Sequence, residues 1–129
     1  FKGFNDLYGH SVGDQVIQTV AKNLTHSIRT NDLLCRYGGE EFCMLLPNTS
    51  IADAYAVAER ARSSIESKAS DGIRDVKVRK ITSSFGVASL SDGAATLQEL
   101  IDQADQALYA SKEGGRNRVT IWTRDHLVT

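Results

Sequence analysis

The sequence predicts an α+β fold, a split βαβ sheet with helices packed on it. Three observations predict it. Apolar residues recur at helical spacing in three separate segments, two strand-like runs meet at Gly38-Gly39, and the segments follow the order helix, hairpin, helix, strand, helix, strand. On that plan a first strand is expected ahead of Phe1.

The opening segment, FKGFNDLYGHS, carries Asn, Asp, Gly and His, which break any periodicity. A long helix follows. Val12, Val16, Val20, Leu24 and Ile28 recur every four residues, and Ile17 and Ala21 widen the stripe. Thr30-Asn31-Asp32 ends it. Two apolar-rich runs, Leu33 to Tyr37 and Phe42 to Leu46, then flank Gly38-Gly39. A Gly-Gly pair between such runs is a hairpin signal, because tight hairpin turns need positive φ. Pro47 stops the second strand.

Ser50 with Asp53 resembles a capping box opening a second helix, with Ala54, Val57, Ala58, Ala61 and Ile65 on one face. Ser70-Asp71-Gly72 is a surface loop. Val76 to Leu90 is rich in β-formers and holds one long strand, or a short strand and a long one. Ile81, Ser83, Phe85, Val87 and Ser89 share one face of it, opposite the small residues Ser84, Gly86 and Ala88. Thr96 with Glu99 is a better capping box. Leu97, Leu100, Ile101, Ala104, Ala107 and Leu108 form the stripe of the third helix, which Gly114-Gly115 terminates. Val119 to Trp122 is a last strand, and 123–129 is a polar tail. The whole chain, 1–129, is expected to be a single domain, truncated at its N-terminus.

The composition is that of an ordinary globular chain: 129 residues, 41% hydrophobic and 24% charged. That balance argues against disorder. No apolar run approaches the roughly 20 residues that span a bilayer. Fifteen basic and 16 acidic residues give a net charge of −1, which disfavours sequence-independent binding to nucleic-acid backbone. Two cysteines, Cys35 and Cys43, make neither a disulfide framework nor a zinc site, and a reducing cytoplasm is the default.

Three clusters carry candidate chemistry. At the hairpin tip, Glu40 and Glu41 follow the glycines. Adjacent carboxylates are a hard-oxygen donor set suited to Mg²⁺, and the missing side chains let a ligand approach the backbone. A solvated turn is the plainer explanation. In the opening segment, Lys2, Asn5, Asp6, His10 and Asp14 offer groups that read a base or neutralise a phosphate. A polar loop with Asp14 at a helix N-terminus explains the same residues. Lys112, Arg116 and Arg118 surround Gly114-Gly115. They could grip a triphosphate, or simply complement a helix dipole. Arg29 and Asp32 read equally as an ordinary exposed ion pair.

The combination is more specific than its parts. FKGFNDLYGHSVGD, then RTND, then RYGGEEF, then ALYASKEGGRNRV, resembles the GGDEF family, the diguanylate cyclases, from Phe1 to about Val119. The resemblance implies a ferredoxin-like fold akin to the nucleotide-cyclase palm. It implies condensation of two GTP into cyclic di-GMP with release of two pyrophosphates, by a homodimer whose half-sites face each other. Glu40 is then the metal ligand and candidate base, and Glu41 helps hold Mg²⁺. Asn5 and Asp14 contact guanine, with His10 close to the nucleotide. Gly38 and Gly39 lie against GTP, Lys2 stabilises phosphate charge, and Lys112 and Arg116 hold the terminal phosphates. Arg29-Thr30-Asn31-Asp32 matches the family's RxxD inhibitory motif, where cyclic di-GMP binds, and Arg60 stands where a secondary arginine often does. The family's first strand, with an acidic metal ligand, precedes this Phe-Lys pair, so the fragment alone is expected to have weak or no activity. A sensor domain is expected upstream, in a cytoplasmic protein or one tethered to a membrane sensor. The alternative is a non-catalytic module that binds GTP or cyclic di-GMP. An RNA-binding module also uses this sheet plan, but the strand aromatics are scattered.

Overall fold

The computed structural model describes residues 10–68, 81–125 and 127–128. Chain contacts divide it into two compact units, Phe1–Pro47 with Ser63–Ile81, and Asn48–Arg62 with Thr82–Thr129.

In the first unit the four-residue spacing of valines builds helix α1 (His10–Ser27). Val16, Val20 and Leu24 are buried, as the stripe predicts. Side chains crowd the end of the helix, where Ser27 Oγ donates to the Asn23 carbonyl at 2.9 Å. The helix stops before Ile28, the last residue of the predicted stripe. Ile65 and Ile81 are also buried in this unit. Ser64 Oγ donates to Asn23 Oδ1 at 3.1 Å, which ties the end of the second helix to α1.

The hairpin follows as β1 (Leu33–Gly38) and β2 (Glu41–Leu45), paired antiparallel with Cys35 opposite Cys43. Cys35 and Cys43 are not joined in a disulfide. The register shifts between Arg36 and Gly38, so Tyr37 is an extra residue in a β-bulge. Neither hairpin glycine has positive φ; among described glycines that conformation belongs to Gly93 and Gly115. The expectation that Gly38-Gly39 supplies left-handed backbone is corrected on this point. The bulge at Tyr37 lets the strands reverse without it.

Helix α2 (Ile51–Lys68) begins where Ser50 predicts, with Ser50 Oγ accepting the Asp53 N–H at 3.1 Å. Its residues 51–62 belong to the second unit. There, Ala58 joins Val87 and Val119 in a buried cluster, flanked by Ile51, Ala54, Tyr55 and Phe85.

Strand β3 is short, Phe85–Val87. Predicted as far as Leu90, it ends early because Ser89 Oγ accepts the Ser91 N–H and starts a 3₁₀ turn, Leu90–Asp92, closed by Gly93 at φ 101°. Residues 81–84 of the predicted β-rich stretch are not strand, and 76–80 and the Ser70–Gly72 loop lie outside the described residues.

Helix α3 (Leu97–Glu113) starts on the predicted box: Thr96 Oγ1 accepts the Glu99 N–H at 3.1 Å, and Glu99 Oε2 reaches back to the Ala95 N–H at 2.8 Å. Leu97, counted in the stripe, lies in the first turn and is exposed, whereas Ala107 is fully buried. β4 (Val119–Trp122) pairs parallel with β3, Phe85 opposite Val119. The predicted polar tail instead turns back as β5 (Leu127–Val128), antiparallel to β4. Two adjacent apolar residues beyond the Arg124-Asp125 bend suffice to extend the ladder. The described strands thus form two sheets, β1–β2 and β3–β4–β5.

The face of small residues on β3 has a packing reason. A Cβ on Gly86 would collide with the Ala104 carbonyl oxygen and the Leu108 amide nitrogen, and would lie 2.9 Å from the Ala107 carbonyl carbon. The backbone of α3 therefore rests directly on β3.

Candidate functional site

The hairpin tip is held by its own strand. Arg36 Nε donates to the Gly39 carbonyl at 2.8 Å, and Arg36 Nη2 donates to the same oxygen. That clamp spans the Tyr37 bulge and fixes the turn in which Glu40 sits. Glu40 is exposed, and Glu41, at the first position of β2, is half-buried. A Cβ built on Gly38 or Gly39 would meet nothing within 4 Å. Neither φ nor internal packing therefore demands glycine here. What the pair leaves is bare backbone beside two carboxylates, which is what a ligand lying across the turn requires.

Mg²⁺ takes one or two carboxylates and completes its shell with water and phosphate oxygens. The donor set of Glu40 and Glu41 fits that demand. Among the described residues no three His, Cys, Asp or Glu side chains cluster, so a cation here would need oxygens from a ligand or from residues outside those described.

Arg29 and Asp32 form a turn rather than a solvated ion pair. Asp32 Oδ2 accepts the Arg29 backbone N–H at 2.8 Å and lies 3.6 Å from Arg29 Nε, and the Asp32 N–H donates back to the Arg29 carbonyl at 3.0 Å. The Asp32 side chain is 2% exposed and that of Arg29 is 67% exposed. The aspartate shapes the turn, and the arginine is presented outward.

At the end of α3, three successive residues have positive φ: Gly115 at 120°, Arg116 at 64° and Asn117 at 47°. The Gly114 N–H donates to the Ala110 carbonyl at 2.9 Å, and the Arg116 N–H to the Ser111 carbonyl at 2.9 Å. The helix end is thereby satisfied, as the glycine pair predicts, with Gly115 rather than Gly114 taking the left-handed conformation. Arg118 folds back over this end. Its Nε donates to the Arg116 carbonyl at 3.0 Å, and a Cβ on Gly115 would lie 2.6 Å from its Nη2. Arg116 is exposed, and Lys112 lies in the last turn of α3. The two arginines, equivalent in the sequence, thus have different environments.

Lys2 and Asn5 lie outside the described residues, as does Asp6. His10 is the first residue of α1. Asp14 is exposed in the second turn, with no acidic residue in the first, so its expected place at the helix N-terminus is corrected by one turn. That removes the simple dipole explanation for it, since the effect fades beyond the first turn. Arg60 is exposed on α2. A shallow polar cavity of about 400 Å³ is lined by Gln18, Thr19, Lys22, Asn23, His26 and Lys68, none of them a predicted site residue. Sequence reasoning passed over Arg36, Arg62 and Asn117. Of these only Asn117 carried a local signal, an Asn two residues beyond Gly114-Gly115 and tolerant of left-handed backbone.

Comparison with known proteins identifies the family. The family model described as diguanylate cyclase, GGDEF domain, matches residues 1–118. Diguanylate cyclase A of Treponema denticola is 46% identical over 121 residues, 94% of this chain and 32% of that protein. Response regulator PleD of Caulobacter vibrioides is 38% identical over 119 residues, 92% of this chain and 26% of that protein. Among solved structures, the active GGEEF domain of a diguanylate cyclase from Vibrio cholerae has a TM-score of 0.84 at 34% identity, covering 94% of this chain and 75% of that one. The GGDEF domain of DgcB from Caulobacter crescentus, in complex with c-di-GMP, has a TM-score of 0.81 at 36% identity, covering 93% and 70%. This chain belongs to the GGDEF family of diguanylate cyclase domains, and its fold is their α+β, palm-like fold. It spans about a third of the length of its Treponema relative. Among the described residues no helix is long and apolar enough to cross a membrane.

Proposed function

We propose that the protein containing this domain is a diguanylate cyclase. It condenses two GTP into cyclic di-GMP, and the relatives named as cyclases support this reading. The 3′-hydroxyl oxygen of one GTP attacks the α-phosphorus of the other, and the bond to pyrophosphate breaks. Repeating the step in the opposite sense closes the ring and releases the second pyrophosphate. Each subunit of a homodimer carries one GTP, because one half-site holds one nucleotide.

The observation that carries the proposal is the hairpin tip, where Gly38 and Gly39 are required neither by φ nor by packing, next to Glu40 and Glu41. Glu40 takes the proton of the attacking hydroxyl, and the clamp from Arg36 keeps the turn in place. Glu40 and Glu41 would hold Mg²⁺, which supplies neutralisation between carboxylates and triphosphate that would otherwise repel. Lys2 offsets charge on the phosphates during transfer. Asn5, Asp14 and His10 contact the guanine nucleotide, and Lys112 and Arg116 hold terminal phosphates. Cyclic di-GMP binds at Arg29 and Asp32, with Arg60 a secondary arginine for it, and restrains turnover. The c-di-GMP bound to the DgcB domain supports an affinity for product in the family. An upstream sensor in a cytoplasmic protein, or one tethered to the membrane, drives the domain.

The test is to incubate the full-length protein with GTP and Mg²⁺ and follow cyclic di-GMP and pyrophosphate. Product should form, vanish on chelation, and be absent in Glu40→Ala with an unchanged melting temperature. Undiminished turnover in Glu40→Ala would reject the assignment.

A further inference from the structure

The loop after α3 holds its residues in a conformation that an arginine does not choose. Left-handed φ brings Cβ against the carbonyl oxygen, and among non-glycine residues Asn tolerates it far better than Arg. Arg116 nonetheless sits at φ 64°. Something must hold it there, and its neighbour is anchored twice. Asn117 Oδ1 accepts from Arg62 Nη1 at 2.9 Å, and the Asn117 N–H donates to Ser84 Oγ at 3.1 Å. Arg62 is itself fixed, because its Nε donates to both Glu59 carboxylate oxygens, at 3.1 and 3.0 Å, and its side chain is only 17% exposed. Behind Arg116, its own N–H is tied to the Ser111 carbonyl, and its carbonyl accepts from Arg118 Nε.

We infer that Asn117, gripped by Arg62 and Ser84, is a positioning residue that aims Arg116 at the outer phosphates of GTP. A flexible side chain on a free loop would sample many directions. A side chain on a strained, pinned backbone loses less freedom on binding a charged ligand, which is where preorganisation gains affinity. Strain concentrated at one exposed arginine and over-determined by its surroundings is the pattern expected where a backbone serves ligand contact. Arg118 is spent on covering the helix end, so the loop offers Arg116 outward. The inference rests on reading Arg116 as a holder of terminal phosphates.

The experiment measures KM and kcat for GTP in the full-length protein, with GMP as a competitor lacking the outer phosphates. Asn117→Gly keeps left-handed freedom and removes the side-chain anchor. Arg62→Met removes the same hydrogen bond without touching the loop, and carries the test if the first variant does not fold. Each should raise KM for GTP about tenfold, with kcat changed by less than about threefold and GMP inhibition unaltered. Arg62→Lys, which restores a donor, should recover most of the loss. Combined with Arg116→Ala, Asn117→Gly should add nothing further, because it acts through Arg116. Additive losses, or equal weakening of GTP and GMP, would show a merely structural role and overturn the inference. Unchanged GTP affinity in Arg116→Ala itself would instead remove the phosphate reading beneath it, and the inference with it.

Discussion

The Asp32 carboxylate accepts the backbone N–H of Arg29 at 2.8 Å while the Arg29 side chain is 67% exposed. One residue of the pair builds the turn and the other is displayed by it. An exposed guanidinium contributes little to folding, since surface pairs are worth about 0–1 kcal/mol. A side-chain acceptor that closes a turn is worth about 1–2 kcal/mol. Arg29→Ala should therefore abolish product binding in calorimetry while shifting stability by less than about 0.5 kcal/mol. Asp32→Ala should lose binding and about 1–2 kcal/mol in urea unfolding, whereas Asp32→Asn, which keeps an acceptor oxygen, should retain most of the stability. Equal stability of Asp32→Ala and the parent would contradict the division of roles.

Gly39 separates folding from function in the opposite way. Its φ is ordinary and a Cβ there meets only open space. Gly39→Ala should leave stability within about 0.5 kcal/mol of the parent, or raise it slightly through a less flexible unfolded chain. If GTP lies against this backbone, the same methyl should raise KM by about tenfold or more, a loss of about 1.4 kcal/mol. Normal kinetics in this variant would mean that the turn is glycine-rich for reasons other than the nucleotide.

These two sites also mark how far the sequence could be read. The RxxD and GGEEF motifs were visible as strings, and the capping residues Ser50 and Thr96 placed two helix starts, because capping is local chemistry. The stripe Val16, Val20, Leu24 gave the buried face of α1 for the same reason. What was not legible depends on residues far apart in the chain. Arg62 reaches Asn117 across 55 positions, and Ser84 reaches it across 33. No periodicity reports such a contact. The hairpin glycines suggested positive φ because that is their usual task, but the bulge at Tyr37 relieved them of it. The tail became β5 because edge pairing needs only two residues and a partner strand.

Gly86 is the glycine that packing does require. A side chain there would drive into the backbone of α3 at Ala104 and Leu108, atoms that cannot rotate aside. Overpacking of this kind costs about 1–3 kcal/mol, and backbone collisions lie at the upper end. Gly86→Ala should lower the unfolding free energy by about 3 kcal/mol, moving the urea midpoint down at an unchanged m-value. A shift below about 0.5 kcal/mol would show that α3 slides on β3 rather than resting on it.

Ser111 joins the same helix to both strands through one hydroxyl group. Its hydroxyl donates to the Phe85 carbonyl at 2.7 Å, and its oxygen lies 2.7 Å from Thr120 Oγ1, with both side chains fully buried. Serine has a single hydroxyl proton, already given to Phe85, so Thr120 must donate to Ser111. Ser111→Ala removes a donor from one buried group and an acceptor from another, and should cost about 2–3 kcal/mol. Thr120→Val keeps the shape and loses the bond donated to Ser111, and should cost at least about 1 kcal/mol. Because the two share that bond, the double variant should be less destabilised than the sum of the singles by about 0.5–1 kcal/mol. Strict additivity in urea unfolding would show that no hydrogen bond couples the two hydroxyls.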